Sequence, residues 1–248
     1  MDKQRLKEIS IAEIVNRNPG SVKIFERFKI DYCCNGKLNF EEACRRASVS
    51  EEEVLVQLND IVSDTLMAPI RPQDWPLDFL ANYIVQNHHT YVKKLIPEIL
   101  FLSGKVSMAH GSRHPELSVI EQQFKVLSED LEKHMYKEEV VLFPEVAMLV
   151  KQSSRKKKIE GIAFRLKYPV EVMESDHENA GQILAKIREL SADYALPPDA
   201  CNSYSLLYSR LKEFEEDLHL HIHLENNILF PKTLELEARL VTDSACLI

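Results

Sequence analysis

Two segments of the chain carry the same string of chemically capable residues. HMYKEEVVLFP at 134–144 and HIHLENNILFP at 221–231 both read HxxxExxxLFP, with their histidines 87 residues apart. On an α-helix, residues four apart stand one above the other on the same face. An imidazole and a carboxylate so placed can grip one d-block cation together. Each string also follows a further histidine at nearly constant distance: His177 stands 44 residues before His221, and His89 stands 45 before His134. The chain reads as two copies of a helix pair, each supplying a lone His and an HxxxE unit.

The apolar pattern says where these side chains point. Ile120, Phe124, Leu127 and Leu131 advance by 4, 3 and 4, and continuing by 3 and 4 lands on His134 and Glu138. Tyr204, Leu207, Leu211, Phe214 and Leu218 run down another core-facing stripe whose next steps are His221 and Glu225. His177 lies on the stripe Val170, Met173, His177, Ala180, Leu184, Ile187. A lone polar residue in such a stripe is ordinarily a hydrogen-bonded core residue. Two duplicated HxxxE units need more, because an unpaired buried polar group costs roughly 2–7 kcal/mol and a charge costs more. A pair of metal ions satisfies all of them at once. Imidazole with carboxylate suits iron, manganese or zinc better than calcium or magnesium, and six ligands shared by two ions suit a di-iron centre better than tetrahedral zinc.

Several neighbours compete for inclusion. His88 lies on the stripe Ala81, Ile84, His88, Tyr91, Leu95, and His89 on Val85, His89, Val92, Ile96; periodicity leaves both open, and the duplicate spacing leans slightly to His89. His219 and His223 are rotated away from His221 and are expected at solvent or the bundle edge. His110 and His114 are expected in a loop with no role. Glu174, three residues before His177, is expected near the ions without touching them. Pro97, Pro144 and Pro231 each free a carbonyl four residues back and are expected to distort their helices.

The elements that must position these residues are helical throughout. Four long patterns, 77–103, 116–151, 169–192 and 199–238, with three connections, predict an all-α fold: an up-down-up-down four-helix bundle over 77–248. Residues 1–65 read as a small unit of four short helices, the third capped by Asn39 and the fourth by a Ser50/Glu53 capping box. MAPIRPQDWP, with Pro69, Pro72 and Pro76, makes 66–76 a linker.

Composition narrows the function classes. The chain has 248 residues, a net charge of −8, and only 6 glycines, with no GxGxxG or GxxxxGK[ST] string, against nucleotide-phosphate folds. There is no 18-residue uncharged apolar run, and MDKQRLKEIS carries five charges, so a membrane span and a secretory leader are not expected and a cytoplasmic protein is. A DNA-binding reading of the short N-terminal helices is disfavoured because residues 1–66 hold 10 Lys/Arg against 12 Asp/Glu. The basic run Arg155–Lys158 reads as a solvated loop. Of the cysteines, Cys33 and Cys34 are adjacent and followed by Asn35-Gly36. Their Cα atoms lie about 3.8 Å apart, too close for an unstrained disulfide, so they read as a nucleophile, redox relay or iron acceptor, with Cys44 a further pairing option. Cys201 and Cys246 read as structural or surface thiols.

DYCCNG (31–36), NHHTYVKKLIPEI (87–99), VMESDHENAG (172–181) and the two HxxxExxxLFP strings together resemble the Repair of Iron Centres family of di-iron proteins, whose larger domain is hemerythrin-like. The pattern departs from the oxygen carrier hemerythrin, which has an HxxxH where this chain offers only His177. The resemblance implies that His89, His134, Glu138, His177, His221 and Glu225 hold two iron ions joined by an oxo or hydroxo bridge. It selects His89 over His88 by its register to Pro97, and it makes Glu138 and Glu225 the bridging carboxylates. It further implies a cytoplasmic stress protein that restores iron–sulfur clusters damaged by nitric oxide or peroxide, through iron release or nitric oxide reduction. Its implied partners are damaged iron–sulfur proteins and small molecules such as nitric oxide or dioxygen, not nucleic acid or membrane, and a homodimer is compatible with it. The competing reading is a hemerythrin-like oxygen or nitric oxide binder or sensor without repair activity.

Overall fold

The N-terminal helices begin where short polar side chains cap them. In the computed structural model, which describes residues 9–62, 71–155 and 165–241, the Ser10 hydroxyl accepts from the Glu13 N–H (3.2 Å) and starts α1, Ile11–Arg17. α2, Ser21–Arg27, follows Pro19-Gly20. Asn39 Oδ1 accepts from the Glu42 N–H (2.9 Å) to start α3, Phe40–Ala47, which stops at Ser48 in the left-handed region (φ 56°). The Ser50 hydroxyl accepts from the Glu53 N–H (3.5 Å) at the head of α4, Glu51–Val62. The predicted linker falls partly outside the described residues; within its described part Pro72–Asp74 forms one 3₁₀ turn.

Four rods follow. The first comprises α5, Leu77–Ile84, a π-helical turn, Val85–His89, and α6, Thr90–His110. The second comprises α7, Glu116–Lys137, a π turn, Glu138–Leu142, and α8, Phe143–Ser154. The third is α9, Lys167–Leu190. The fourth comprises α10, Asn202–Leu224, a π turn, Glu225–Leu229, and α11, Phe230–Leu240. Among the described residues there is no strand, only an isolated bridge between Ser10 and Asn39, and the all-α expectation is met. No described helix is long and apolar enough to cross a membrane.

The end of the first rod differs from expectation by two turns, for a physical reason. The first rod runs through Gly104 to His110, because one helical glycine costs only about 1 kcal/mol while Val106 and His110 continue its buried face. His110 is therefore a buried helical residue rather than a loop residue. Pro144 and Pro231 sit just after π turns, where the Phe143 N–H reaches back to Glu138 O and the Phe230 N–H to Glu225 O. Pro97 lies inside an uninterrupted α-helix.

The bundle interior is divided in two. One apolar cluster holds Leu80, Ile84, Leu142, Val146, Val170, Met173, Leu229 and Phe230. The other holds Val92, Ile99, Phe124, Leu131, Leu184, Leu211 and Phe214, and it is continuous with Ile11, Ile14, Phe25, Phe40 and Leu58 of the N-terminal helices. The N-terminal unit thus packs directly on one half of the bundle.

His219 and His223 make that junction. Of the two expected positions both take the bundle edge, His219 partly exposed and His223 buried, because the face rotated away from His221 is the one the N-terminal helices cover. His223 is buried, with Nε2 3.1 Å from Asn16 Oδ1 and Nδ1 3.4 Å from Tyr32 O. His219 Nδ1 meets Glu26 Oε1 at 2.7 Å, beside Arg188, which pairs with Glu215 at 2.9 Å and with Glu26 at 3.7 Å. Burial opposes a charged ring at His219, but the Glu26 carboxylate outweighs it and raises the pKa above 6.5. A histidine raised on folding contributes stability that is fully present below its unfolded pKa and lost as pH rises through the folded value. Thermal unfolding should therefore show stability falling as pH is raised from about 6.5, with the slope flattened in His219→Gln.

Candidate metal centre

Between the two apolar clusters lies one layer of polar side chains, all from rod interiors. His89, Glu138, His221 and Glu225 form one group and His134, Glu138, His177 and Glu225 another, every donor atom within 4.8 Å of the others in its group. The two carboxylates belong to both groups. His89 Nε2 faces His221 Nε2 at 3.1 Å, and His134 Nε2 faces His177 Nε2 at 2.9 Å. Glu138 Oε2 lies 3.3 Å from both His89 and His134, and Glu225 lies 3.0 Å from His221 and 3.2 Å from His177. All six side chains are at most 2% exposed. The structure thus brings together every ligand expected from the sequence, and places His89 rather than His88 in the layer.

The donor set fits a pair of cations. Both oxygens of Glu138 and Oε2 of Glu225 are buried without a hydrogen-bond partner, which in a finished core is rare and costly. Burial opposes ionisation of Glu225, yet the His221 and His177 imidazoles set against its two oxygens hold its pKa well below the ordinary range. Two buried carboxylates kept as anions among four imidazoles form a shell for cations that bring their own charge.

The outer contacts explain the rest of the repeated string. The ring of His89 stacks on Phe143 (5.8 Å between centroids) and that of His177 on Phe230 (6.0 Å), so the Phe of each LFP supports the lone histidine of its pair. Three far-side nitrogens are anchored: His89 Nδ1 by Glu139 (2.8 Å), His177 Nδ1 by Asn226 (2.8 Å) and His134 Nδ1 by Asp176 (3.3 Å). Lys93 and Lys137 pair in turn with Glu139 (2.6 Å) and Asp176 (2.9 Å). Hydrogen bonding by His134, against partial burial, holds Asp176 down at about 2. Such anchors fix ring orientation and raise ligand basicity. His221 Nδ1, by contrast, has no partner. The residue before His89 is His88, where Asp176 precedes His177, and the His88 ring stacks against His221 (5.6 Å) while bonding Asp217 (3.0 Å).

Glu139, Asp176, Asn226 and the two phenylalanines were not singled out from the sequence. The 87-residue offset was the signal: it maps 139 onto 226 and 143 onto 230. Glu174 turns away from the layer to Lys37 (3.4 Å).

The four described thiols are free, and Cys33 and Cys34 lie on a loop that touches the helices carrying His177 and Glu225. Asn227, two residues beyond Glu225, donates to Cys33 O (2.9 Å) and Tyr32 O (3.3 Å). Cys34 Sγ is 3.8 Å from the His177 carbonyl. Cys44 is buried apart from them, with burial pushing its thiol up to about 11. Cys201 is exposed with its sulfur 3.3 Å from His110 Nε2, and Cys246 and Lys156–Lys158 lie outside the described residues.

Known proteins share both parts. The model of the hemerythrin HHE cation binding domain matches residues 80–233, and that of the ScdA_N domain of unknown function (DUF542) matches 7–62. The iron-sulfur cluster repair protein YtfE of Musicola paradisiaca (strain Ech703) is 32% identical over 235 residues, covering 94% of this chain and 99% of the relative. The chain belongs to the iron–sulfur cluster repair protein family. A second member, YtfE of Yersinia pseudotuberculosis serotype IB (strain PB1/+), is 31% identical over 219 residues, 87% of this chain and 92% of the relative. Within the family frame, the buried histidine and glutamate groups of this chain coincide with the cation-binding domain.

The thiol loop's seat can be tested at Gly36, where a Cβ would meet Tyr32 O at 2.7 Å and Asn227 Oδ1 at 2.5 Å. Gly36→Ala should cost about 1–3 kcal/mol in urea unfolding and speed Cys34 alkylation by lifting the loop.

Proposed function

We propose that this chain repairs iron–sulfur clusters damaged by nitrosative or oxidative stress in the cytoplasm, donating iron held in the bundle. The carrying observation is the pair of four-residue groups that share Glu138 and Glu225, three of whose four oxygens are buried without a hydrogen-bond partner. In this reading His89 and His221 would hold one iron and His134 and His177 the other, with Glu138 and Glu225 common to both groups. Two ions so held supply exchangeable iron and a redox centre that takes nitric oxide or dioxygen. The chain's own part is to orient the four rings through their Nδ1 contacts, exclude bulk water with the flanking apolar clusters, and keep the bridging carboxylates ionised. Cys33 and Cys34 are the transfer thiols, positioned against the outer side of the helix that carries His177.

A crevice of about 180 Å³ beside His134, lined by Leu131, Lys137, Asp176, Ala180 and Ile183, favours a second reading in which small diatomic molecules bind reversibly or are reduced without repair. The two separate on one assay: the purified, iron-loaded protein either restores a nitric-oxide-damaged cluster enzyme with matching loss of its own iron, or shows only a reversible spectral change.

His134→Leu and Glu225→Leu should each lower iron content from two per chain toward zero and lower the melting temperature, since metal binding and folding are coupled; elemental analysis showing full occupancy in both would overturn the ligand assignment. The two positions should also differ in lability. One histidine of the His89/His221 pair lacks a far-side anchor, whereas both of the other pair have one. Outer anchors are worth about 10–100-fold in affinity, so chelator-driven iron release should be biphasic. Asp176→Asn should accelerate the slow phase and leave the fast one unchanged.

A further inference from the structure

A second group of metal-binding atoms lies outside the bundle layer. Asp31, Cys33 and Cys34 offer a carboxylate oxygen and two sulfurs all within 4.8 Å of one another. The turn that presents them is organised by Asp31: its Oδ1 accepts from the backbone N–H of Cys33 (3.1 Å) and of Cys34 (2.9 Å), and Asn35 Nδ2 donates to Oδ2 (2.6 Å). Adjacent residues usually diverge, yet this turn folds both thiols to one side, 3.8 Å apart. A tetrahedral ion with metal–sulfur bonds of about 2.3 Å spans an S···S edge of about 3.8 Å, and with a metal–oxygen bond of about 2.1 Å an S···O edge of about 3.6 Å. The Cys33 Sγ to Asp31 Oδ1 distance is 3.2 Å, set by the thiol hydrogen bond that an ion would replace.

The surroundings favour a cation arriving from solvent. The three residues line a groove of about 830 Å³ between the N-terminal unit and α9, whose walls carry Glu178 and Glu189 besides Glu26, Asp193 and Glu215, which pair with His219, Lys29 and Arg188. Burial opposes ionisation of Asp31, but hydrogen bonds from Asn35, Cys33 and the Cys34 backbone hold it below the ordinary carboxylate range. Cys33 is the reverse: its hydrogen bond with Cys34, then burial, push its thiol up, so it keeps its proton until displaced. At the back of the groove, Cys34 touches the His177 carbonyl and Asn227 clamps Cys33 O, so the group abuts the turns bearing His177 and Glu225.

We propose that Asp31, Cys33 and Cys34 form a second, mononuclear site for a divalent thiophilic cation, which takes ferrous iron in transit between the bundle and a client. Its occupation by iron rests on the repair reading above; the site itself does not. Binding is a ligand exchange without redox change: two S–H bonds and the ion's bonds to its displaced waters break, two sulfur–metal bonds and one bond to the Asp31 oxygen form, and the waters and two protons leave to solvent. The remaining coordination position faces the groove, where a client ligand can take it.

The test uses the full-length, iron-loaded protein titrated anaerobically with cobalt(II), a spectroscopic substitute for ferrous iron. One cobalt per chain should give a thiolate-to-metal charge-transfer band with release of about two protons. Cys34→Ser, at the half-exposed thiol, should abolish the band, and Asp31→Asn, which preserves the acceptor for both N–H groups, should weaken binding at least tenfold. Cys201→Ser should leave it intact. Bundle iron, measured in the same samples, should not change in any of the three. No band, or a band that survives Cys34→Ser, overturns the site even where bundle iron and repair activity are normal. A band in a protein whose bundle holds no iron leaves the site standing and removes the repair reading instead.

Discussion

Two carboxylates and four imidazoles buried in a single layer, with too few partners among themselves, are the constraint around which this protein is arranged. An anionic glutamate without hydrogen bonds in a dry core is costly enough to undo a domain of ordinary stability. A cation held there would resolve that cost and turn the layer from a liability into a cross-link among all four rods. The split of the interior into two apolar clusters follows from it, as do the stacked phenylalanines beneath the lone histidines and the acidic and amide side chains behind the rings.

Much of this was readable from residue order. The stripes ending in His134–Glu138 and His221–Glu225 gave both the helices and the direction of their ligands, because a 3.6-residue period ties spacing to facing. His89 and His88 could not be separated that way: both are buried, and the π turn over Val85–His89 abolishes the period at the point where it was needed. For His219 and His223 the helical period left solvent and bundle edge both open. Rotation correctly turned them from the layer, but only the tertiary arrangement shows that another part of the chain covers that face. Asp176 was invisible because it acts across rods, on His134 rather than on its neighbour His177.

The N-terminal helices are joined to the bundle at two levels. Apolar residues such as Phe25 and Leu58 extend the bundle's own core, while Asn227, His223 and the Glu26–His219–Arg188 group fix the polar seam. The DYCCNG loop is seated by this seam, so its thiols have a defined position relative to the histidine layer. Separately folded units joined by a tether would not provide that.

The three wide helical turns have a mechanical meaning. Each amounts to one extra residue threaded into a rod, which turns everything beyond it by about 100° relative to an uninterrupted helix. Phe143, Val146 and Leu149, like Phe230, Thr233 and Leu236, are therefore clocked to meet their neighbours only while the bulge ahead of them persists. The layer of ligands acts as the pin in a geared shaft: it sets the angular phase between the two ends of the bundle, and whatever grips those ligands also holds the far apolar cluster in mesh.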